Sequence, residues 1–236
     1  MNLCVAYVAV CNGSITSEYI ARFVTTWHEY EPGIETDLIV ICNGGPLNVE
    51  QSVMFSSLNA KMFIRSNEGW DIQGQIEAAR GPCAEYDAIL WAGESVYFHR
   101  KGWLKRLADA LVKYGPGMYG PFSSNAVTGH LNTTAYFCPP VLLKMYPKNV
   151  STRADRYEYE HSTNSLWRRV AARGMPVRLV TWDGEWEPRL WRRPRNILWR
   201  GDQSNLLMFC NHADGYFNAD AITRAQWSRH SDSPFK

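Results

Sequence analysis

Three apolar runs constrain this chain more than any other feature: Leu3 to Val10, Leu38 to Cys42 and Asp87 to Trp91. Their apolar residues fall at consecutive positions, whereas a strand with one wet face alternates apolar and polar side chains, so these runs predict strands buried on both faces. The first two stop at turn formers, Cys11-Asn12-Gly13-Ser14 and Asn43-Gly44-Gly45-Pro46. Between the runs lie helical patterns. Ser17 and Glu18 open a segment with Ile20, Phe23, Val24 and Trp27 at helical spacing, which stops before Pro32-Gly33. Asn48 to Leu58 reads as a short helix and Lys61 to Ile64 as a further strand. Asn67-Glu-Gly-Trp-Asp71 leads into a helix through Ile76 and Ala79, and Trp103 to Tyr114 is an amphipathic helix. Strand and helix in this rhythm predict an α/β fold, a mostly parallel sheet flanked by helices.

The second half is less regular. Thr133 to Phe137 reads as a strand, Val141 to Met145 as a short helix, Arg156 to Arg173 as one helix and Pro176 to Trp182 as a strand. Gly115-Pro116-Gly117 marks a break between the halves of one domain. After Gly184 the composition turns to Trp, Arg and Pro, with five arginines from Arg189 to Arg200, and then to a polar tail.

The 25 Lys+Arg nearly balance the 23 Asp+Glu, which argues against a wholesale polyanion binder and leaves room for a local basic patch. The six cysteines form no CxxC pair and no tight cluster, so neither a zinc site nor a disulfide scaffold is expected. Buried thiols in a reducing compartment fit them better, and a cytoplasmic location is the expectation. The apolar start is too short to span a bilayer and lacks a charged leader, and no other stretch is long and apolar enough. Ten tryptophans, in a chain that also holds twelve Tyr and nine Phe, exceed what a core of this size needs. They raise the prospect of stacking or lid surfaces.

In an open parallel sheet, ligands gather at the carboxyl ends of the strands. The loops there contain no GxGxxG and no GxxxxGK[ST], and GxSxG and HExxH are missing as well. What they carry is Asn12, Asn43, Arg65, Asn67, Asp71, Gly93, Glu94 and Ser95. Taken in order, Val8-Ala-Val-Cys-Asn12, Ile39-Val-Ile-Cys-Asn-Gly-Gly45, Arg65-Ser-Asn-Glu-Gly-Trp-Asp-Ile72 and Asp87-Ala-Ile-Leu-Trp-Ala-Gly-Glu94 resemble the strand ends of GT-A-fold glycosyltransferases, family-2-like members above all. Phe98-His-Arg-Lys-Gly-Trp-Leu104 resembles the family's segment of a large residue followed by Trp-Leu. The likeness covers roughly the first three quarters of the chain, and its motifs are short.

The resemblance implies a hexosyltransferase-type enzyme with a nucleotide-sugar donor, UDP-linked, and an acceptor that is a glycan, a protein or a nucleic acid. It implies a nucleotide-sugar-binding half over residues 1–115 and an acceptor half with a tail over 116–236. Asn12, Asn43, Arg65, Asn67, Asp71, Gly93, Glu94 and Ser95 would hold the donor. The family places an Asp-x-Asp after its fourth strand to hold Mn²⁺ or Mg²⁺ on the diphosphate. Here Trp91-Ala-Gly-Glu94 keeps one carboxylate, so a metal would rest on Glu94 completed by a late His such as His212, or be dispensed with in favour of arginines. Loss of the metal site is also what a non-catalytic relative would show.

An inverting transferase needs a carboxylate to take the acceptor's proton. The family keeps it at a helix start in the second half, and Glu160 with His161 occupies that place, with Glu158 and Asp155 in reserve. A capped, solvated helix start explains the same residues without chemistry. His130, Arg156, Trp191 and Asp202 are candidates for acceptor contact, His130 having a purely structural hydrogen-bonding role as its alternative. Asp71 reads equally as a helix N-cap, and Glu94 as a strand-end carboxylate. The Trp/Arg stretch from Trp182 to Trp199 has three readings: a lid, a stacking surface for a glycan or nucleic acid, or packing of the last strand onto the sheet. Three functions therefore stand: a glycosyltransferase, a nucleotide- or glycan-binding relative without turnover, and a transferase that decorates nucleic-acid bases.

Overall fold

The computed structural model describes residues 1–11, 16–125, 127–191 and 198–232. The first half follows the order β1 (Leu3–Val10), α1 (Thr16–Glu29), β2 (Asp37–Asn43), α2 (Val49–Ser56), β3 (Lys61–Arg65), α3 (Trp70–Arg80), β4 (Ala88–Ala92) and α4 (Trp103–Tyr114). The second half adds β5 (Met118–Gly120), β6 (Ser123–Ser124), β7 (His130–Leu131), β8 (Ala135–Cys138), α5 (Pro140–Lys144), α6 (Arg153–His161), α7 (Leu166–Ala172), β9 (Val177–Thr181), β10 (Gly184–Trp186), α8 (Asn211–Asn218) and α9 (Ala221–Asp232).

Among the described residues, eight strands form one sheet in the order β10-β9-β5-β8-β4-β1-β2-β3. β1 pairs in parallel with β2 and β4, and β2 with β3. β8 runs antiparallel to β4 and β5, β9 is parallel to β5, and β10 is antiparallel to β9. The fold is thus α/β with a mixed, mostly parallel sheet. Successive residues of β1 point to opposite faces. Leu3, Val5 and Tyr7 pack with Ile20, Phe23, Phe55 and Leu107, from α1, α2 and α4. Cys4, Ala6 and Val8 pack with Ile72, Ile76, Leu142 and Val170, from α3, α5 and α7. Cover on both faces is why the run is apolar at every position.

Two departures from the sequence reading have local causes, and the break between the halves leads on within one sheet. The helix expected from Arg156 to Arg173 begins earlier, at a capping box of Thr152 and Asp155, and divides into α6 and α7. It divides because His161-Ser-Thr-Asn-Ser165 is rich in residues whose side chains compete for backbone groups. The Ser162 hydroxyl donates to the Glu158 carbonyl and accepts the Asn164 N–H. The break at Gly115-Pro116-Gly117 leads straight into β5, which lies between β8 and β9 in the sheet shared by both halves. A side chain at Gly117 would collide with the Pro176 carbonyl. The polar tail, finally, holds α8 and α9. Tertiary contacts fix them, since Asp214 of α8 takes Arg22 at 2.6 Å and the Tyr97 hydroxyl at 2.5 Å.

The tryptophans are largely structural. Trp91, Trp103 and Trp191 are fully buried, and Trp103 stacks on Phe98 at 3.7 Å. Among the described residues no helix is long and apolar enough to cross a membrane.

Candidate functional site

The chain leaves β1 towards β2 on one side and returns to β4 on the other, so the carboxyl ends of β1 and β4 flank a topological switch point. A cavity of about 250 Å³ opens there. Its floor is Val8 and Val10 of β1, and Gly93, Glu94 and Ser95 follow β4 along one wall. Trp70 and Asp71 come from the start of α3, Arg156 from α6, Asn211 and His212 from the start of α8, and Thr134 from the approach to β8.

Each wall is fixed by identifiable bonds. The Gly93 N–H donates to the Thr134 carbonyl at 2.7 Å, and a Cβ at Gly93 would lie 3.2 Å from that oxygen. The Glu94 carbonyl accepts the Tyr7 hydroxyl at 2.6 Å, while its carboxylate Oε2 is buried without a hydrogen-bond partner. Ser95 donates its hydroxyl to Asn211 Oδ1 at 3.0 Å, and its carbonyl accepts from Arg22 at 3.2 Å. Arg22 also lies over the Tyr97 ring, 3.9 Å from its centre, so the loop after β4 and the start of α8 are tied into one unit.

On the opposite side, Arg156 Nη1 is 3.4 Å from Asp71 Oδ1 and its Nε is 3.6 Å from Glu160 Oε2. The Thr133 hydroxyl donates to Glu160 Oε1. His161 Nε2 is 3.6 Å from Glu160 Oε2, and the His161 ring meets His130 edge-on at 4.4 Å. Glu160 and His161 thus stand behind Arg156 along α6 and are not part of the cavity wall.

Burial raises the Asp71 carboxyl above the usual carboxylate range, and Arg156 pulls it partly back. Burial likewise raises Glu94, with the Asp71 charge adding to it. Burial lowers His212, against the pull of Glu160. Burial lowers His161 as well, and it takes His130 down to about 4, with the His161 charge adding to the effect. Among the described residues no three His, Cys, Asp or Glu side chains gather as a metal cage.

Of the residues singled out in the sequence, Asp71, Gly93, Glu94, Ser95, Arg156 and His212 meet at this cavity. Asn12 lies outside the described residues, as do Arg192, Arg193 and Arg195 of the Trp/Arg stretch. Arg65 and Asn43 face inward instead of toward the cavity. Arg65 donates to Glu77 at 2.7 and 3.1 Å, to Asn43 Oδ1 at 2.9 Å and to the Glu68 carbonyl at 2.7 Å. Its donors are spent on the fold, not on a ligand. Asn67 is exposed and off the cavity wall, its carbonyl closing a turn with the Trp70 N–H at 3.3 Å.

The expected acceptor contacts fare differently. Trp191 is 1% exposed, packed on Trp167 at 5.4 Å, and is a core residue with no face for an acceptor. His130 is also buried, bonded through Nδ1 to the Thr128 carbonyl at 2.7 Å. Asp202 is exposed and accepts from the Ser204 N–H and hydroxyl. Trp70 and Thr134, which line the cavity, were not among the expected site residues, whereas Asn211 was read beside His212 as able to close over the donor. For Trp70 the signal was its place beside Asp71; for Thr134, local sequence gives none.

No protein-family model matches the chain, and no curated protein matches it in sequence. Solved structures do show similarity. Residues 1–349 of TarS from S. aureus share 18% identity at a TM-score of 0.49, over 66% of this chain and 53% of that one. The same protein in complex with UDP-GlcNAc matches at 15% and 0.47, over 68% and 54%. The galactosyltransferase LgtC, in complex with donor and acceptor sugar analogues, matches at 11% and 0.44, over 58% of each chain. A putative glucose-1-phosphate thymidylyltransferase from Bacillus anthracis matches at 9% and 0.48, over 74% and 85%. The chain spans about half the length of the TarS fragment. These likenesses concern the course of the chain and not the chemistry of its cavity.

Proposed function

We propose that this chain is a glycosyltransferase that binds a nucleotide-sugar donor, with the diphosphate in the cavity between β1 and β4, and passes the sugar to an acceptor hydroxyl. The observation that carries the reading is the company kept at the switch point. The first turns of α3 and α8 bring partial positive charge to one cavity, and Arg156 adds a full charge. A diphosphate suits that set.

Asp71 and Glu94 would repel the same diphosphate unless a divalent cation stood between them. Each keeps a buried carboxylate oxygen without a hydrogen-bond partner, which fits such a cation. With no three acidic, Cys or His side chains gathered among the described residues, the fit is to Mg²⁺ or Mn²⁺ that keeps waters. Glu94 and Asp71 would hold it, and His212 stands at the same cavity without completing a cage. When bound, the cation neutralises charge on the leaving diphosphate.

Glu160 and His161 supply the base in this reading. Glu160 is the carboxylate that would take the acceptor's proton, with His161 Nε2 3.6 Å from its Oε2. A donor-binding protein without turnover is the second reading, favoured by the ties of Glu160 to Thr133 and Arg156 behind the cavity wall. Calorimetric titration of UDP and UDP-sugars with and without Mn²⁺ tests both, since both require binding; no binding to any nucleoside diphosphate would sink them together. Glu160→Gln separates them. Transfer lost with binding kept supports the base, and unchanged turnover removes the role.

A further inference from the structure

We propose that Trp70 is a platform, set in advance by a strained turn, on which a ring of the bound donor stacks. The proposal rests on the donor-site reading above and names a contact within it.

Trp70 has φ of 56°, in the left-handed region that a bulky side chain rarely adopts. The residue before it, Gly69, is left-handed too, at 69°. Glycine takes this backbone freely, but for Trp70 it is costly, and the neighbours enforce it. A side chain at Gly69 would collide with the Val150 carbonyl, so the turn is pressed against the loop before α6 and only glycine fits. Gln73 fastens that loop by accepting the Val150 N–H at 2.8 Å. Arg65 grips the turn from below, donating to the Glu68 carbonyl at 2.7 Å and to the Trp70 carbonyl at 3.4 Å. The Arg65 side chain is itself 4% exposed, held by Asn43 and Glu77. This buried network is attached to the backbone of Trp70, a residue that lines the cavity.

The strain has no return in packing. Trp70 is 37% exposed and belongs to neither side of the core. Among the described residues no aromatic ring lies against its indole. A large apolar face, held at a cavity wall by a backbone that costs energy to hold, is what strain at a binding site looks like. The partner it fits is flat or ring-shaped, and a nucleotide-sugar offers two such faces: the nucleobase and the sugar ring.

The test compares wild type with Trp70→Gly and Trp70→Phe by calorimetry against UDP and a UDP-sugar, alongside thermal melting. Glycine removes the ring and relieves the backbone, so affinity is expected to fall roughly tenfold or more while the melting temperature holds or rises. Phenylalanine keeps a ring and should recover most of the affinity. Loss with both ligands assigns the nucleobase, and loss with the UDP-sugar alone assigns the sugar ring. If wild type binds and Trp70→Gly binds equally well, or if Trp70→Gly melts lower and binds no worse than its folded fraction predicts, the platform is overturned and the donor site stands. If wild type binds neither ligand, the donor-site reading fails and the platform with it.

Discussion

Arg156 Nη1 stands 3.4 Å from Asp71 Oδ1, an ion pair at the cavity wall that leaves this buried carboxylate oxygen without a hydrogen bond. The Arg156 side chain is 40% exposed, so the pair does little for the fold. Its reach into the cavity suits it to an anion.

Arg156→Gln therefore separates binding from folding. Loss of a charge-assisted contact of about 1.5–3 kcal/mol predicts a roughly ten- to hundredfold weaker affinity for UDP. Melting should move by no more than about 1 kcal/mol. Asp71, raised by burial and held down in part by this arginine, should titrate higher in the variant, which NMR of the carboxyl carbon can follow. An affinity equal to wild type would take Arg156 out of the site.

Glu94 supplies the opposite case, a charge the fold would be better without. Its Oε2 is buried with no partner and burial raises its pKa. A raised carboxyl binds its proton more tightly folded than unfolded, so its penalty is full above the folded pKa and vanishes in acid. Glu94→Gln should stabilise the protein at neutral pH by about 1 kcal/mol, a melting shift of roughly 2–4 °C. The gain should fade as the pH falls through the carboxylate range. Mn²⁺-dependent donor binding should be lost in the same variant. A lower melting temperature at pH 7 would show that the carboxylate serves the fold.

How much of this was legible in the sequence depended on what each residue faces. β1 and β4 announced themselves because burial on both faces removes every polar position, and Trp103 to Tyr114 because its faces differ. α8 and α9 did not, since contacts made far away in sequence, such as Arg22 with Asp214, hold them in place of an apolar stripe. The same limit governed the site. Arg65 ends β3 and Glu94 lies just past β4, but only position in three dimensions tells that Glu94 meets the cavity while Arg65 meets Glu77, twelve residues on in the chain. Trp191, a candidate acceptor contact in the sequence, is core by its contact with Trp167, as the packing reading of the Trp/Arg stretch has it. Composition can count the tryptophans; it cannot say which one is left facing the cavity.

Arg65 is expected to be worth most to stability. Arg65→Leu leaves Asn43 without its buried donor, Glu77 without its partner and the Glu68 carbonyl unpaired, at a cost of about 2–4 kcal/mol. Glu77 is held below the usual carboxylate range chiefly by its hydrogen bonds from Arg65. A depressed carboxyl stabilises above its unfolded pKa and loses that contribution as pH falls through the folded one. The deficit of the variant, read from urea unfolding, should therefore shrink in acid. A deficit that is constant from pH 7 to pH 3 would mean the Glu77 pair contributes nothing.

His130 governs the approach to acid from the other direction. The imidazole is buried against His161, and its pKa falls to about 4, first through burial and then through the His161 charge. Unfolded, it takes a proton near pH 6.5. A base whose folded pKa is lowered contributes fully above the unfolded value and loses that contribution as pH drops from there towards the folded one. The loss by pH 4 is on the order of 2–3 kcal/mol. Glutamine at this position still offers a donor to the Thr128 carbonyl, which accepts from Nδ1 at 2.7 Å in the wild type, and it carries no charge at any pH. His130→Gln should thus be no more stable than wild type at pH 7 and should overtake it between pH 6 and 4. Urea unfolding of both proteins at half-unit steps reads the difference directly, and curves that stay parallel across that window would show that His130 is not the group that titrates.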